Sequence, residues 1–283
     1  MAKNSLNSST HFRSISLPTT CQTISAQFDE HLSRLLLSKN ATTSCSSLCQ
    51  SVSTLVGLYE CVDELLARPA NQQVISRNCQ AKWVDDVLEG SLKLLDVCCV
   101  SRDAFLQTKE SLQGVQSLLR RRCIGELSIR KGVSEYINSR KKVKKGIRQC
   151  LKNTKKIDTV DRTCVTVSLD SVFRNVEIIT GDVFNALLNH VAGGNTQSMS
   201  LVVRLMSRVS DIDKRRKPCS EFEDIDAQLR SFISRKMSRT QVEKTRFQMG
   251  KLEYEIEEIV EELECLFRHL VKTRVTLLNL FSN

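Results

Sequence analysis

A repeat of four and three residues runs without a break through Leu252, Ile256, Ile259, Leu263, Leu266, Leu270, Thr273, Leu277 and Leu280. A β-strand sends alternate residues to opposite faces and cannot bury such a set. A helix with 3.6 residues per turn gathers it into a single stripe. The spacing therefore predicts one long helix with a heptad-like seam, suited to a bundle core or a coiled-coil partner. Only three prolines (Pro18, Pro69 and Pro218) and ten glycines interrupt the 283 residues. That is too few breaks for a many-turned β fold and points to an all-α, elongated bundle of long antiparallel helices.

Similar stripes fill most of the chain. Periodicity begins at Ile24 and Phe28 and reaches Leu36, and a Ser/Thr-rich link follows from Ser38 to Ser44. The next stripe, Leu48, Val52, Leu55, Tyr59, Val62 and Leu66, ends at Pro69. Trp83, Val87, Leu88, Leu92, Leu95, Cys99, Leu106 and Leu112 continue the pattern. Gly125 allows a turn before Ile129, Val133, Tyr136, Val143, Ile147, Cys150 and Leu151. A further stripe runs from Val165 to Leu187 and closes at Gly193-Gly194; its opening, Cys164 to Ser168, has local β-propensity that the longer helical period should override. Leu201, Leu205 and Val209 suggest a short helix before the charged link Asp211 to Pro218, and Ser220 with Glu223 matches a capping box. Residues 1–23 are rich in Ser, Thr and Asn and are expected to be a disordered tail, with 24–283 a single helical domain.

Catalytic and metal signatures do not emerge from spacing. The histidines, His11, His31, His190 and His269, are scattered, and no Cys-x-x-Cys pair occurs. Zinc is therefore disfavoured, as is a phosphate loop, since Gly193-Gly194 lacks a following lysine. No catalytic, cofactor-binding or metal residue is assigned. Twelve cysteines lie largely on helix-periodic stretches, no apolar leader precedes them, and they are expected as free, buried thiols. No window approaches the ~20 apolar residues of a membrane span.

The charge is formally +10, and it is concentrated in the middle of the chain. Arg140, Lys141, Lys142, Lys144, Lys145 and Arg148 form a candidate basic interaction face that extends to Lys152, Lys155 and Lys156. Such a face suits nuclear import, an anionic membrane or calmodulin-like helix-in-groove binding; nucleic acid is disfavoured, because no aromatics interleave for base stacking. The alternative is a solvated helix whose apolar side, Val143, Ile147 and Leu151, packs inward, with the Glu-rich stretch 253–264 placed alongside to neutralise part of it. Trp83 and Tyr59 read as core anchors, and Asp85, Asp86 and Asp96 as a polar face.

Several blocks carry a family resemblance: His11-Phe12-Arg13-Ser14-Ile15-Ser16-Leu17-Pro18, then Leu58-Tyr59-Glu60-Cys61-Val62-Asp63-Glu64-Leu65-Leu66, then the long run Trp83 to Cys98, and Ser139 to Lys145. With the terminal blocks Leu263 to Arg268 and Arg274 to Asn279, they resemble a plant-specific helical family grouped with the BYPASS-type proteins. The resemblance implies an all-α fold, a plant source and a part in root and shoot development through restraint of a root-derived mobile signal. It brings no active-site residues. Within the first block, Arg13, Ser14, Ser16 and Pro18 have the arrangement of a 14-3-3 docking motif when Ser16 is phosphorylated, since phosphate supplies charge and acceptors for an arginine cluster. The expected role is non-enzymatic signalling through protein partners. A peripheral membrane protein stands second, and an enzyme whose site no motif reveals stands third. The expected place is inside the cell: cytoplasm first, nucleus or membrane surface next, an organelle last.

Overall fold

The computed structural model describes residues 19–38, 44–78, 81–121, 125–154, 169–193, 220–234 and 238–282. These residues hold eight helices and no strand: α1 (Thr19–Ser38), α2 (Cys45–Ala67), α3 (Pro69–Asn78), α4 (Ala81–Arg120), α5 (Glu126–Thr154), α6 (Leu169–Ala192), α7 (Glu221–Ser234) and α8 (Arg239–Ser282). The docking motif around Ser16, the link 39–43, the stretch 164–168, the expected helix at Leu201 to Val209, the link to Pro218, and Lys155 and Lys156 lie outside the described residues.

Two helices set the long dimension. At 1.5 Å rise per residue, the 44 residues of α8 and the 40 of α4 span about 66 and about 60 Å. The seam of α8 is buried from Leu252 to Leu277, and Leu263, Ile256, Ile259 and Leu266 are fully enclosed. Each such side chain contributes about 1.5–3 kcal/mol of transfer free energy. The α8 seam packs chiefly on α2 and α4, and α4 packs in turn on α5 and α6. A link of a few residues joins α4 to α5, so their close packing makes them antiparallel neighbours. One continuous apolar core draws side chains from all eight helices.

The helix ends explain where the chain turns. Ser44 caps α2 by accepting from the Ser47 amide, and the Ser47 hydroxyl returns to the Ser44 amide. Pro69 does end α2, but it also opens α3 as its first residue, where a missing N–H costs nothing. Asn71 and Gln72 of α3 then donate to the carbonyls of Leu65 and Leu66 in the last turn of α2. Gly193 ends α6 with φ 68°, in the left-handed region, and an added Cβ there would strike the Glu223 side chain.

Helix α4 corrects part of the sequence reading. Leu92 and Leu106, expected inside, are 47% and 41% exposed, while Leu94, Val97, Cys98, Phe105 and Leu112 form the core face. The stripe was hidden because Ser101 and Thr108 also point inward. Their hydroxyls donate to the carbonyls of Val97 and Ala104 one turn back. Tyr59 is a core anchor, its hydroxyl paired with Thr180. Trp83 is half-buried at the bundle edge, with edge-on contacts to Phe173 and Phe281. Asp85, Asp86 and Asp96 lie exposed on α4.

Candidate functional site

Helix α5 buries Val133, Tyr136, Val143 and Ile147 at helical spacing, and Arg140 falls on the same face. The structure therefore takes Arg140 out of the expected surface patch: it is 2% exposed. Its Nε donates to Asp226 Oδ1 of α7 at 3.2 Å, one terminal nitrogen to Thr108 of α4 at 3.3 Å, and the other to the Val191 carbonyl of α6 at 2.7 Å. The guanidinium lies 5.2 Å from the centre of the Phe222 ring. Tyr136 donates to Asp226 at 2.8 Å, and Lys144, half-buried, pairs with its other oxygen at 2.9 Å. Burial alone would raise the Asp226 carboxyl; the Arg140 guanidinium, with Lys144 and Tyr136, outweighs it and holds the group below the usual carboxylate range.

Of the other described members of the patch, Lys144 is half-buried in its pair with Asp226 and the rest face outward. Lys141, Lys142, Lys145 and Arg148 are exposed, and none of them has an ion-pair partner among the described residues. The expected neutralising stretch lies elsewhere: α5 packs on α4, α6 and α7, whereas the acidic part of α8 borders α2 and α4. Glu257 there pairs with Lys109 of α4 at 3.0 Å. Glu258, Glu261 and Glu262 instead line an open groove with Ser46, Cys49 and Gln50 of α2. Burial first, and then these three glutamates, push the Cys49 thiol up to about 11, so it carries little thiolate for nucleophilic chemistry near neutral pH.

A second polar cluster has no counterpart in the sequence spacing. Cys45 opens α2, His190 lies in the last turn of α6, and Glu221 opens α7, so three helix ends meet at one point. His190 Nε2 is 3.5 Å from Cys45 Sγ and 2.9 Å from Glu221 Oε2. Glu221 Oε1 also accepts from the Cys45 amide at 3.4 Å. The helix ends are locked together by Ser220, which accepts from the Phe222 amide and donates to the His190 carbonyl. Burial, followed by the Glu221 carboxylate, pushes the Cys45 thiol far up, so without a cation it holds its proton. Burial would raise Glu221 too, but the bond to His190 holds it below its ordinary value. No sequence spacing joins these residues; the fold brings Cys45 and His190, 145 positions apart, into contact. Among the described residues, this is the group whose donors converge as metal ligands would.

A third cluster pins α2 to α8. Asp63 accepts from Thr273 at 3.0 Å, meets His269 Nδ1 at 3.0 Å and pairs with Lys272 at 3.0 Å. Cys45, Cys49, Cys61, Cys98, Cys99, Cys150 and Cys265 are thiols in no disulfide. No helix among the described residues is long and apolar enough to cross a membrane.

The described residues form an all-helical bundle with a buried ionic centre around Arg140 and Asp226 and a basic ridge on one helix. The Protein BPS1 family matches residues 51–280, and the chain belongs to that family, as the BYPASS-type resemblance implied. No curated protein and no solved structure matches the chain.

Proposed function

We propose that this chain is a non-enzymatic plant protein of developmental signalling, acting inside the cell by binding other proteins, in root and shoot development. Membership of the BPS1 family supports the developmental part. The observation that carries the binding part is the ridge of Lys141, Lys142, Lys145 and Arg148, exposed and unpaired among the described residues on a helix anchored from beneath by Arg140. Unpaired cations presented from an anchored helix attract an acidic partner surface, and charge complementarity sets both encounter rate and selectivity. A partner bound this way should be lost at raised ionic strength. Affinity purification from plant tissue with the native chain and with Lys141→Glu, Lys142→Glu, Lys145→Glu and Arg148→Glu combined tests this. Partners retained by the native chain should disappear from the variant; an unchanged set of partners would refute the ridge as the docking surface.

The same ridge favours a second reading, attachment to an anionic membrane, where each exposed cation contributes about 1 kcal/mol near the surface. Vesicles containing phosphatidylserine should then retain the native chain and release the charge-reversed one, and neutral vesicles should retain neither. A further contact is proposed through Ser16: phosphorylated, with Arg13, Ser14 and Pro18 around it, it would dock a 14-3-3 protein. A peptide of residues 9–22, titrated with and without phosphate on Ser16, checks it; equal binding of the two forms would end that reading.

A further inference from the structure

We propose that Cys45, His190 and Glu221 form a zinc site that ties the start of α2 to the end of α6 and the start of α7. The donor set is one sulfur, one imidazole nitrogen and one carboxylate oxygen, a combination that suits zinc among the divalent ions. In a tetrahedral site with Zn–S about 2.3 Å and Zn–N about 2.0 Å, sulfur and nitrogen lie about 3.5 Å apart. Cys45 Sγ and His190 Nε2 are already 3.5 Å apart. The nitrogen–oxygen edge of such a site is about 3.3 Å, so on that edge the carboxylate, now at 2.9 Å, opens by about 0.4 Å, and all three donor atoms lie within 4.8 Å of one another.

Two features separate this arrangement from a nucleophilic cysteine. Sulfur and carboxylate both face the same nitrogen, Nε2. A Cys–His nucleophile needs the orienting carboxylate on the opposite ring nitrogen, so that the first is left to take the thiol proton. Sharing of one nitrogen is instead what a central cation resolves, because each donor then points its lone pair at the metal. Cys45 and His190 are also enclosed, at 0% and 3% exposure, so a metal there ties three helix ends together.

The charge balance favours the ion. A thiolate, a carboxylate and a neutral imidazole sum to −2, which Zn²⁺ cancels, leaving no net charge in the interior. On binding, the Cys45 S–H bond breaks and a sulfur–zinc bond forms; the proton that His190 Nε2 presents to Glu221 moves to Nδ1 so that Nε2 can bind zinc, and the thiol proton leaves to solvent past Glu221, whose side chain is 32% exposed. The fourth coordination position is filled by water.

The test uses the full chain, reduced and stripped of metal, titrated with Co²⁺ and then with Zn²⁺. One equivalent of Co²⁺ should bring up a thiolate-to-cobalt charge-transfer band with the strong visible absorption of tetrahedral cobalt, and Zn²⁺ should abolish both. Cys45→Ser should remove the charge-transfer band, and His190→Gln or Glu221→Gln should weaken binding by at least about tenfold. Cys49→Ser and Cys265→Ser should leave the titration unchanged. X-ray absorption on the zinc-loaded native chain needs no variant to fold and should find one sulfur with nitrogen or oxygen scatterers. Failure to take up one equivalent, a charge-transfer band that survives Cys45→Ser, or a first shell with no sulfur or with more than one would each overturn the site.

Discussion

Helices α5 and α8 both lie against α4, yet they hold the bundle by different means. The buried face of α8 is a row of Leu, Ile, Val and Met in which Thr245 and Thr273 are the polar members. The buried face of α5 contains Arg140, whose charge is met by Asp226 and whose remaining donors reach α4 and α6. The apolar seam tolerates small losses in proportion to the volume removed. The ionic centre does not degrade in proportion, because removing one member leaves another charged and enclosed.

The largest effect is expected where these two rules meet. Leu263→Asp puts a carboxylate without a partner into the α8 seam and removes a fully enclosed side chain. The combined loss should exceed about 5 kcal/mol, enough to abolish a cooperative urea transition at 25 °C. An unchanged melting temperature would mean that the seam is not the core. Next in size is Asp226→Ala, which strands Arg140 and should cost about 3–5 kcal/mol in urea unfolding. The double variant Arg140→Met with Asp226→Leu sharpens the contrast, since replacing a buried pair by apolar groups of similar size is often neutral. It should recover most of what Asp226→Ala loses; a loss as large as the single variant's would show that the pair contributes more than its own neutralisation.

Acid should act on α5 before α8. The Asp226 carboxyl is held below its unfolded value, so its contribution is complete above the ordinary carboxylate range and is lost as pH falls through the folded value. Urea midpoints followed from pH 7 to pH 3 should therefore fall more steeply in the native chain than in Asp226→Asn. Smallest of all, Lys141→Ala, Lys142→Ala and Lys145→Ala should each change stability by no more than about 0.5 kcal/mol, because their side chains face water. A larger loss at any of them would place it in a contact that the ridge reading does not contain.

These two helices also show what a sequence discloses. The α8 seam was readable from Leu252 to Leu277, because apolar spacing reports burial directly; Leu280 at its end is only partly buried, and Thr245 and Met249, buried ahead of it, lay outside the repeat. Arg140 was not readable, because its neighbours Lys141 and Lys142 are exposed and a run of like charges gives no sign of which member turns inward. Its position one turn after Tyr136 and just before Val143, both buried, was the available signal. On α4 the inward Ser101 and Thr108 broke the apolar pattern, since each satisfies its hydroxyl on its own helix and so can be buried cheaply. The Cys45, His190 and Glu221 cluster was beyond sequence reach for another reason. Each residue sits at a helix end, and only the packing of α2, α6 and α7 brings them together.

The clasp between α2 and α8 has a consequence measured in time. Asp63 and its partner His269 are 206 residues apart. At synthesis rates of about 5–20 residues per second, α2 leaves the ribosome about 10–40 s before the residues that cover it. During that interval Leu48, Val52, Leu55, Leu58 and Leu66, all enclosed in the folded protein, have no α8 to lie against. A chaperone that holds apolar helices is the expected companion of the nascent chain, and a message cut short before residue 239 should yield a product that is cleared or aggregates and does not accumulate as a smaller folded form.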